Sequence, residues 1–148
     1  SELSNIRNKK IGFVFQDYYL DEKLTALENV LLPTIINKDI SSKEAKTKAI
    51  DLLNKFGLDK RTNHLPSTLS GGEKQRVAIV RAIINNPDIL LADEPTGNLD
   101  VESEENVMFI LKNISNSGKC VIMVTHNTDL IKYADKVYNL ENGVLNEK

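Results

Sequence analysis

Cysteine is nearly absent from these 148 residues: Cys120 stands alone. An internal disulfide is therefore excluded, and the count is compatible with a reducing cytoplasm. Cys120 lies in an apolar run and reads as an inert core thiol. No apolar stretch approaches the ~18 residues needed to span a bilayer. The polar segment Ser1 to Lys10 lacks the apolar centre of a signal peptide. Excess positive charge is missing too, since the net charge is −2, which leaves no electrostatic footprint for nucleic acid. Two histidines, His64 and His126, and one cysteine make no zinc site, and His64 is expected at the surface. A phosphate-cradling loop of the form G-x-x-x-x-G-K-[ST] is also missing. Seven glycines stand at 12, 57, 71, 72, 97, 118 and 143, and only Gly118-Lys119 supplies G-K. Asn113 stands where the first glycine is required, Cys120 where Ser or Thr is, and a strand rather than a helix is expected to follow.

What is present is ordinary for a globular domain, with 41% apolar and 27% charged residues. The chain is long enough to bury roughly 68–70% of its unfolded surface. No internal repeat or low-complexity tract is visible.

The richest stretch runs from Leu69 to Asp100. Ser70-Gly71-Gly72-Glu73 precedes apolar residues at Val77, Ala78, Val80, Ala82, Ile83 and Ile84. This predicts a helix with Ser70 as N-cap, Ser70 and Glu73 as a capping box, and an end near Asn85-Asn86 before Pro87. Free N–H groups beside glycines at a helix start attract phosphate. Ile89-Leu90-Leu91-Ala92 then reads as a parallel strand buried on both faces, delivering Asp93 and Glu94 at its C-terminal tip. Ligands of open α/β sheets sit at that end. Taken singly, Ser-Gly-Gly also fits a plain turn and Asp-Glu-Pro a solvated loop.

Upstream, Ile11-Gly12-Phe13-Val14-Phe15 reads as a strand leading into a loop at Gln16-Asp17. Thr25 is expected to cap a helix through Leu27, Val30 and Leu31, extending toward Ile35-Ile36, with Pro33 disturbing it. Ser41 or Ser42 opens a second helix whose stripe is Ala45, Ala49, Leu52, Leu53 and Phe56, stopped by Gly57. Tyr18 and Tyr19 either pack internally or, with the segment through Leu32, offer a docking surface. Downstream, a helix from about Val101 to Ser115 presents Met108, Phe109, Leu111 and Ile114 to the core. Cys120 to Val124 reads as a second continuous buried strand, ending at Thr125-His126. A helix over Thr128–Tyr133 follows, then a strand over Lys136–Leu140, and Asn142-Gly143 marks a hairpin into Val144-Leu145. The succession gives an α/β class with a mostly parallel sheet.

The order Gln16, Ser70-Gly71-Gly72, Asp93-Glu94, Thr96-Gly97-Asn98-Leu99-Asp100 and His126 resembles the Q-loop, signature, Walker B, D-loop and switch histidine of ATP-binding cassette (ABC) ATPases. Gly-Phe-Val-Phe-Gln (12–16), Leu-Thr-Ala-Leu-Glu-Asn-Val (24–30) and Glu-Pro-Thr-Gly-Asn-Leu-Asp (94–100) are most similar to the lipoprotein-releasing and macrolide-exporter-type ATPases, with the cell-division ATPase close by. The resemblance implies a P-loop NTPase fold of ABC type with an incomplete, mostly parallel sheet and an inserted helical subdomain. In it, 1–17 would be the Q-loop strand and loop, 18–85 the helical subdomain with the signature, and 86–148 the C-terminal part of the catalytic core. It covers the whole chain but only about the later two-thirds of a family domain. The Walker A loop, the purine-stacking aromatic and the N-terminal β-subdomain have no counterpart here. The resemblance also implies ATP and Mg²⁺ as ligands. Asp93 would help hold the metal and Glu94 would be the general base. Gln16 would sense metal and water, and His126 would contact the γ-phosphate. Ser70, Gly71 and Gly72 would bind that phosphate across a head-to-tail dimer of nucleotide-binding subunits, and Asp100 would tie the two protomers together. Glu73 stands where many members carry Gln.

The implied partner is a transmembrane permease subunit, with the ATPase peripheral on the cytoplasmic face of the membrane and no nucleic acid bound. A chromosome-maintenance type of ABC ATPase would need a long coiled coil, and the 53 residues between Gln16 and Ser70 (positions 17 to 69) leave no room for one. A non-catalytic interaction fragment is the other alternative, given the missing phosphate loop. In the family the Walker A strand lies beside the strand ending in the switch histidine. Its absence implies an open edge, compensated by pairing with another chain or by a shifted strand order.

Overall fold

The computed structural model describes residues 9–37 and 39–148; the polar reading of the first eight residues lies outside them. Three parallel strands, β1 (Ile11–Phe15), β2 (Ile89–Asp93) and β3 (Cys120–Val124), form one sheet in the order β1-β2-β3. Their register is flush. Phe15 pairs with Asp93 and Asp93 with Val124, so all three strands end level.

Three helices begin with the same device. In α1 (Ala26–Leu31), α2 (Ser42–Lys55) and α3 (Gly71–Ile83), the N-caps Thr25, Ser41 and Ser70 accept from the N–H of Glu28, Glu44 and Glu73, whose carboxylates reach back to the cap backbone. Each box satisfies two of the N–H groups that a helix start leaves unpaired. The backbone carbonyls of Thr62 and His64 take up the N–H groups of Leu27 and Ala26. Pro33 cannot donate to a helical ladder, and α1 tightens into a 3₁₀ turn over Leu32–Thr34. Ile35 and Ile36 consequently lie exposed in a turn, not in the helix. Likewise α3 stops at Ile83, before a turn that places Asn86 at a φ of 55°.

Two apolar cores meet at α3. One joins Ala26, Leu27 and Val30 of α1 and Ala49 and Leu53 of α2 to Val77 and Val80 of α3. The other joins Ile79, on another face of α3, to Val14, Leu90 and Ala92 of the sheet and to Val107, Met108 and Leu111 of α4 (Val101–Asn116). Gly12 lets α3 approach β1. A Cβ there would stand 2.4 Å from the backbone carbonyl oxygen of Ala82, and neither partner is a side chain that could rotate away. Gly12→Ala is therefore expected to destabilise the chain by at least about 1–3 kcal/mol, the usual cost of overpacking, measured as a lower urea midpoint.

Several expectations change. β2 is buried on one face only, through Leu90 and Ala92, and on β3 that face is no more than half-buried, at Val121 and Met123. The opposite face carries Phe13, Phe15, Ile122 and Val124, all exposed, with Ile89 and Leu91 half-buried. Among the described residues β3 is an edge strand, paired only with β2. Cys120 is consequently exposed rather than a core thiol, because it points to the uncovered face in register with Ile11 and Ile89. Phe109 is 65% exposed, turned away from the core that its helix neighbours Met108 and Leu111 fill. Thr128–Tyr133 is a 3₁₀ helix. The last hairpin pairs β4 (Tyr138–Glu141) with β5 (Val144–Glu147), so Lys136 and Val137 precede the strand. Asn142 and Gly143 take φ of 50° and 79°, the turn that two-residue hairpins favour.

Candidate functional site

The flush sheet edge decides where the polar residues go. Gln16, Glu94 and Thr125-His126 each follow directly on one of the three aligned strand ends, so they share one rim with Asp93.

Glu94 is held most firmly. Its φ of 44° is left-handed, a conformation that costs a side-chain-bearing residue roughly 1–2 kcal/mol. Its N–H donates to the carbonyl of Val124 at 2.8 Å. One carboxylate oxygen accepts the His126 N–H at 2.8 Å and the other the Thr125 hydroxyl at 3.1 Å. The strained backbone and these three bonds orient the carboxylate toward the tip of β3. The His126 ring lies 3.6 Å from Glu94 Oε1 and is 99% exposed, free to meet a ligand arriving from solvent. Asp93 is exposed at the strand tip.

Gln16 is oriented by a residue that the sequence did not single out. Asn98 donates through Nδ2 to the Gln16 carbonyl (3.3 Å) and to Asp17 Oδ1 (3.4 Å). Its oxygen is thereby left to accept Gln16 Nε2 at 3.1 Å. The Gln16 amide nitrogen is thus engaged and its oxygen is left as the acceptor. Gly97 makes the contact possible, since a Cβ there would stand 2.5 Å from Gln16 Nε2.

Among the described residues no cluster of three or more His, Cys, Asp or Glu could by itself hold a metal ion. The donors present still suit magnesium, which binds through one or two protein oxygens and completes its shell with water and phosphate. The exposed Asp93 carboxylate and the Gln16 amide oxygen are oxygens of that kind.

Ser70, Gly71 and Gly72 form the start of α3. Ser70 is exposed and its hydroxyl accepts the Glu73 N–H at 3.2 Å. Gly71 packs beside the Tyr18 phenol and Leu99, and Gly72 beside Ser103. Burial pushes the Glu73 carboxyl up. The Arg61 side chain, the Ser70 N–H and the Arg61 and Arg76 charges outweigh that and hold it below its ordinary value. The sign follows: a depressed folded pKa adds stability above the unfolded value of about 4.3, which is lost as pH falls through the folded one. Gln can still close a capping box. The Tm gap between wild type and Glu73→Gln is therefore expected to be widest near neutral pH and to close in acid.

Asp100 begins α4 but makes no side-chain capping bond, unusual for an Asp at that position, and its exposed carboxylate faces outward uncommitted. His64 is half-buried rather than superficial, 3.5 Å from the Arg61 guanidinium. Tyr18 is half-buried and Tyr19 exposed, edge-on to Phe15 at 5.2 Å.

The chain as a whole is similar to known proteins. The ABC transporter family profile matches residues 2–97. The chain belongs to that family. It is 43% identical over 144 residues to the lipoprotein-releasing system ATP-binding protein LolD of Psychrobacter arcticus, covering 97% of this chain and 64% of LolD. It is equally identical, at 43% over 144 residues, to the macrolide export ATP-binding/permease protein MacB of Chlorobaculum tepidum, covering 97% of this chain and 22% of MacB. The ABC fold is seen directly in the dimeric post-hydrolysis state of the ATP-binding cassette MJ0796 bound to ADP and Pi. That structure has a TM-score of 0.85 and 43% identity, and the match covers 99% of this chain and 66% of that one. The fold is accordingly that of a P-loop NTPase of the ABC type. This ABC chain spans 62% to 65% of the length of relatives such as LolD. None of its helices, among the described residues, is long and apolar enough to cross a membrane.

The sequence missed Asn98, Thr125 and Gln75. Gln75 is wholly buried in α3, and its amide donates to the carbonyls of Phe15 (3.1 Å) and Pro95. A glutamine at an inward position of an apolar helix face was the available signal for that third residue.

Proposed function

We propose that this chain carries the water-activating and dimer-facing elements of an ATP-hydrolysing subunit that drives a membrane transporter or mechanotransmission complex. The observation that carries the reading is the convergence of Gln16, Asp93, Glu94 and His126 on one rim, with Glu94 fixed by Thr125 and the His126 N–H.

Each residue then has a task. Asp93 and the Gln16 oxygen would hold Mg²⁺, which would supply positive charge to phosphate oxygens. Glu94 accepts a proton from the attacking water. His126, free in solvent, supplies a hydrogen bond to the terminal phosphate. Ser70, Gly71 and Gly72 offer a helix start to the phosphate held by a second copy, since helix N-termini favour anions. Asp100 meets that second copy. A pairing with a second copy is supported by the dimeric MJ0796 cassette, and a permease partner by the ATP-binding/permease name of MacB. On this reading the protein works peripherally, on the cytoplasmic face of the membrane.

A second reading, a non-catalytic interaction module, is favoured by one observation: no G-x-x-x-x-G-K-[ST] occurs in the 148 residues. The two readings separate experimentally. The chain alone is expected to show no ATP turnover above background. Joined at Ser1 to the part of a LolD-type relative that precedes the matched region, it is expected to hydrolyse ATP in a Mg²⁺-dependent way. Robust hydrolysis by the chain alone would overturn the expectation that it needs a phosphate loop from elsewhere, and an inert chimaera that is folded would favour the interaction module.

A further inference from the structure

The loop that bears Gln16 is gripped by α3 at more than one point. Tyr18 and Tyr19 take successive left-handed φ values of 61° and 49°, where bulky residues are rarely found. Neither is glycine, so the surroundings must hold them there. Arg81, on α3, provides the means. One guanidinium nitrogen donates to the carbonyl of Tyr18 at 2.7 Å and another to the carbonyl of Tyr19. A planar fork suits two adjacent acceptors, which the point charge of a lysine does not. Burial also lowers the guanidinium's proton affinity from its ordinary value, as expected of a side chain enclosed with its acceptors.

The other anchors lie on the same helix. Gln75 donates to the Phe15 carbonyl at 3.1 Å, immediately before Gln16. The Tyr18 phenol lies against Gly71, where an added Cβ would stand 3.1 Å from its oxygen. From Gly71 to Arg81 the grip extends over about 15 Å of helix. Gln16 and Asp17 lie between these anchors, with Asn98 as their further partner.

We infer that Arg81 is a positioning residue: it locks Tyr18 and Tyr19 in the left-handed conformation and makes the Gln16 loop and α3 a single rigid unit, so that movement of the glycine-led helix start relocates the Gln16 amide. The functional consequence rests on the role proposed for Gln16. The local grip does not, and its test involves no nucleotide, so the two can fail separately.

The test compares Arg81→Lys and Arg81→Ala with the parent chain. Chymotrypsin cleavage after Tyr18 and Tyr19 reports opening of the loop, with cleavage after Tyr138 in the exposed hairpin as internal reference. The side-chain amide resonance of Gln16 reports its position. In Arg81→Lys, cleavage at Tyr18 and Tyr19 is expected to rise at least about tenfold relative to Tyr138, as local opening becomes more populated, and the Gln16 amide resonance to move. The lysine keeps charge and bulk, so this variant carries the test even if the alanine variant unfolds. Unchanged cleavage and an unmoved Gln16 resonance in Arg81→Lys would overturn the proposal. So would a rise shared equally by all three tyrosine sites, which would make Arg81 a general stabiliser.

Discussion

In the chimaera joined to a phosphate-loop segment, Glu94→Gln lowers ATP turnover by at least about 10²-fold, the range lost with a general base. The substitution is informative because the surroundings tolerate it. A glutamine oxygen still accepts the His126 N–H, which now meets Glu94 Oε1 at 2.8 Å. The new amide nitrogen can donate to the Thr125 hydroxyl, now 3.1 Å from Oε2, because a hydroxyl both donates and accepts. The backbone at φ 44° is unaffected. What vanishes is the capacity to take a proton. Nucleotide affinity is expected to hold while turnover falls, so equilibrium binding measured beside steady-state rates checks the division. An unchanged rate would remove Glu94 from the base role. A loss of both binding and fold would show that the carboxylate's charge holds the rim together.

The second large effect concerns the uncovered side of the sheet. At tens of micromolar the chain is expected to sediment as a species larger than its 16.6 kDa monomer. Parallel sheets are normally covered on both faces. Among the described residues β3 has no neighbour beyond β2, and its outer face carries Ile122 and Val124 at 49% and 58% exposure. An unpaired apolar edge is a template for a further strand. Of the two compensations anticipated from the sequence, pairing with another chain is the one this edge invites. Ile122→Lys with Val124→Lys places charge on that edge and is expected to return the chain to a monomer in sedimentation velocity. A wild-type chain that is monomeric throughout the range would exclude the pairing.

Local order was readable where it is written in neighbouring residues. Thr25 with Glu28, Ser41 with Glu44 and Ser70 with Glu73 specify helix starts by spacing alone, and all three form. The strand over Cys120–Val124 was equally plain. Its exposure was not, because a continuous apolar run looks the same whether one face or two are covered; that depends on what lies alongside in space. The same holds for Phe109, whose position at the margin of the helical stripe did not fix which side of α4 it would take. In the site, Glu94 and His126 were legible as strand-tip residues. Asn98 and Thr125 were not, since their contribution is to orient Gln16 and Glu94 across gaps of 82 and 31 positions. No periodicity records such pairings.

One helix, α3, lines both apolar clusters, with Val77 and Val80 turned to one and Ile79 to the other. Neither cluster can be taken apart without uncovering part of the wall of its neighbour. Loss of order in the helical layer and in the sheet is therefore expected to be coupled, with the exposed β4–β5 hairpin, which belongs to neither cluster, outside that coupling.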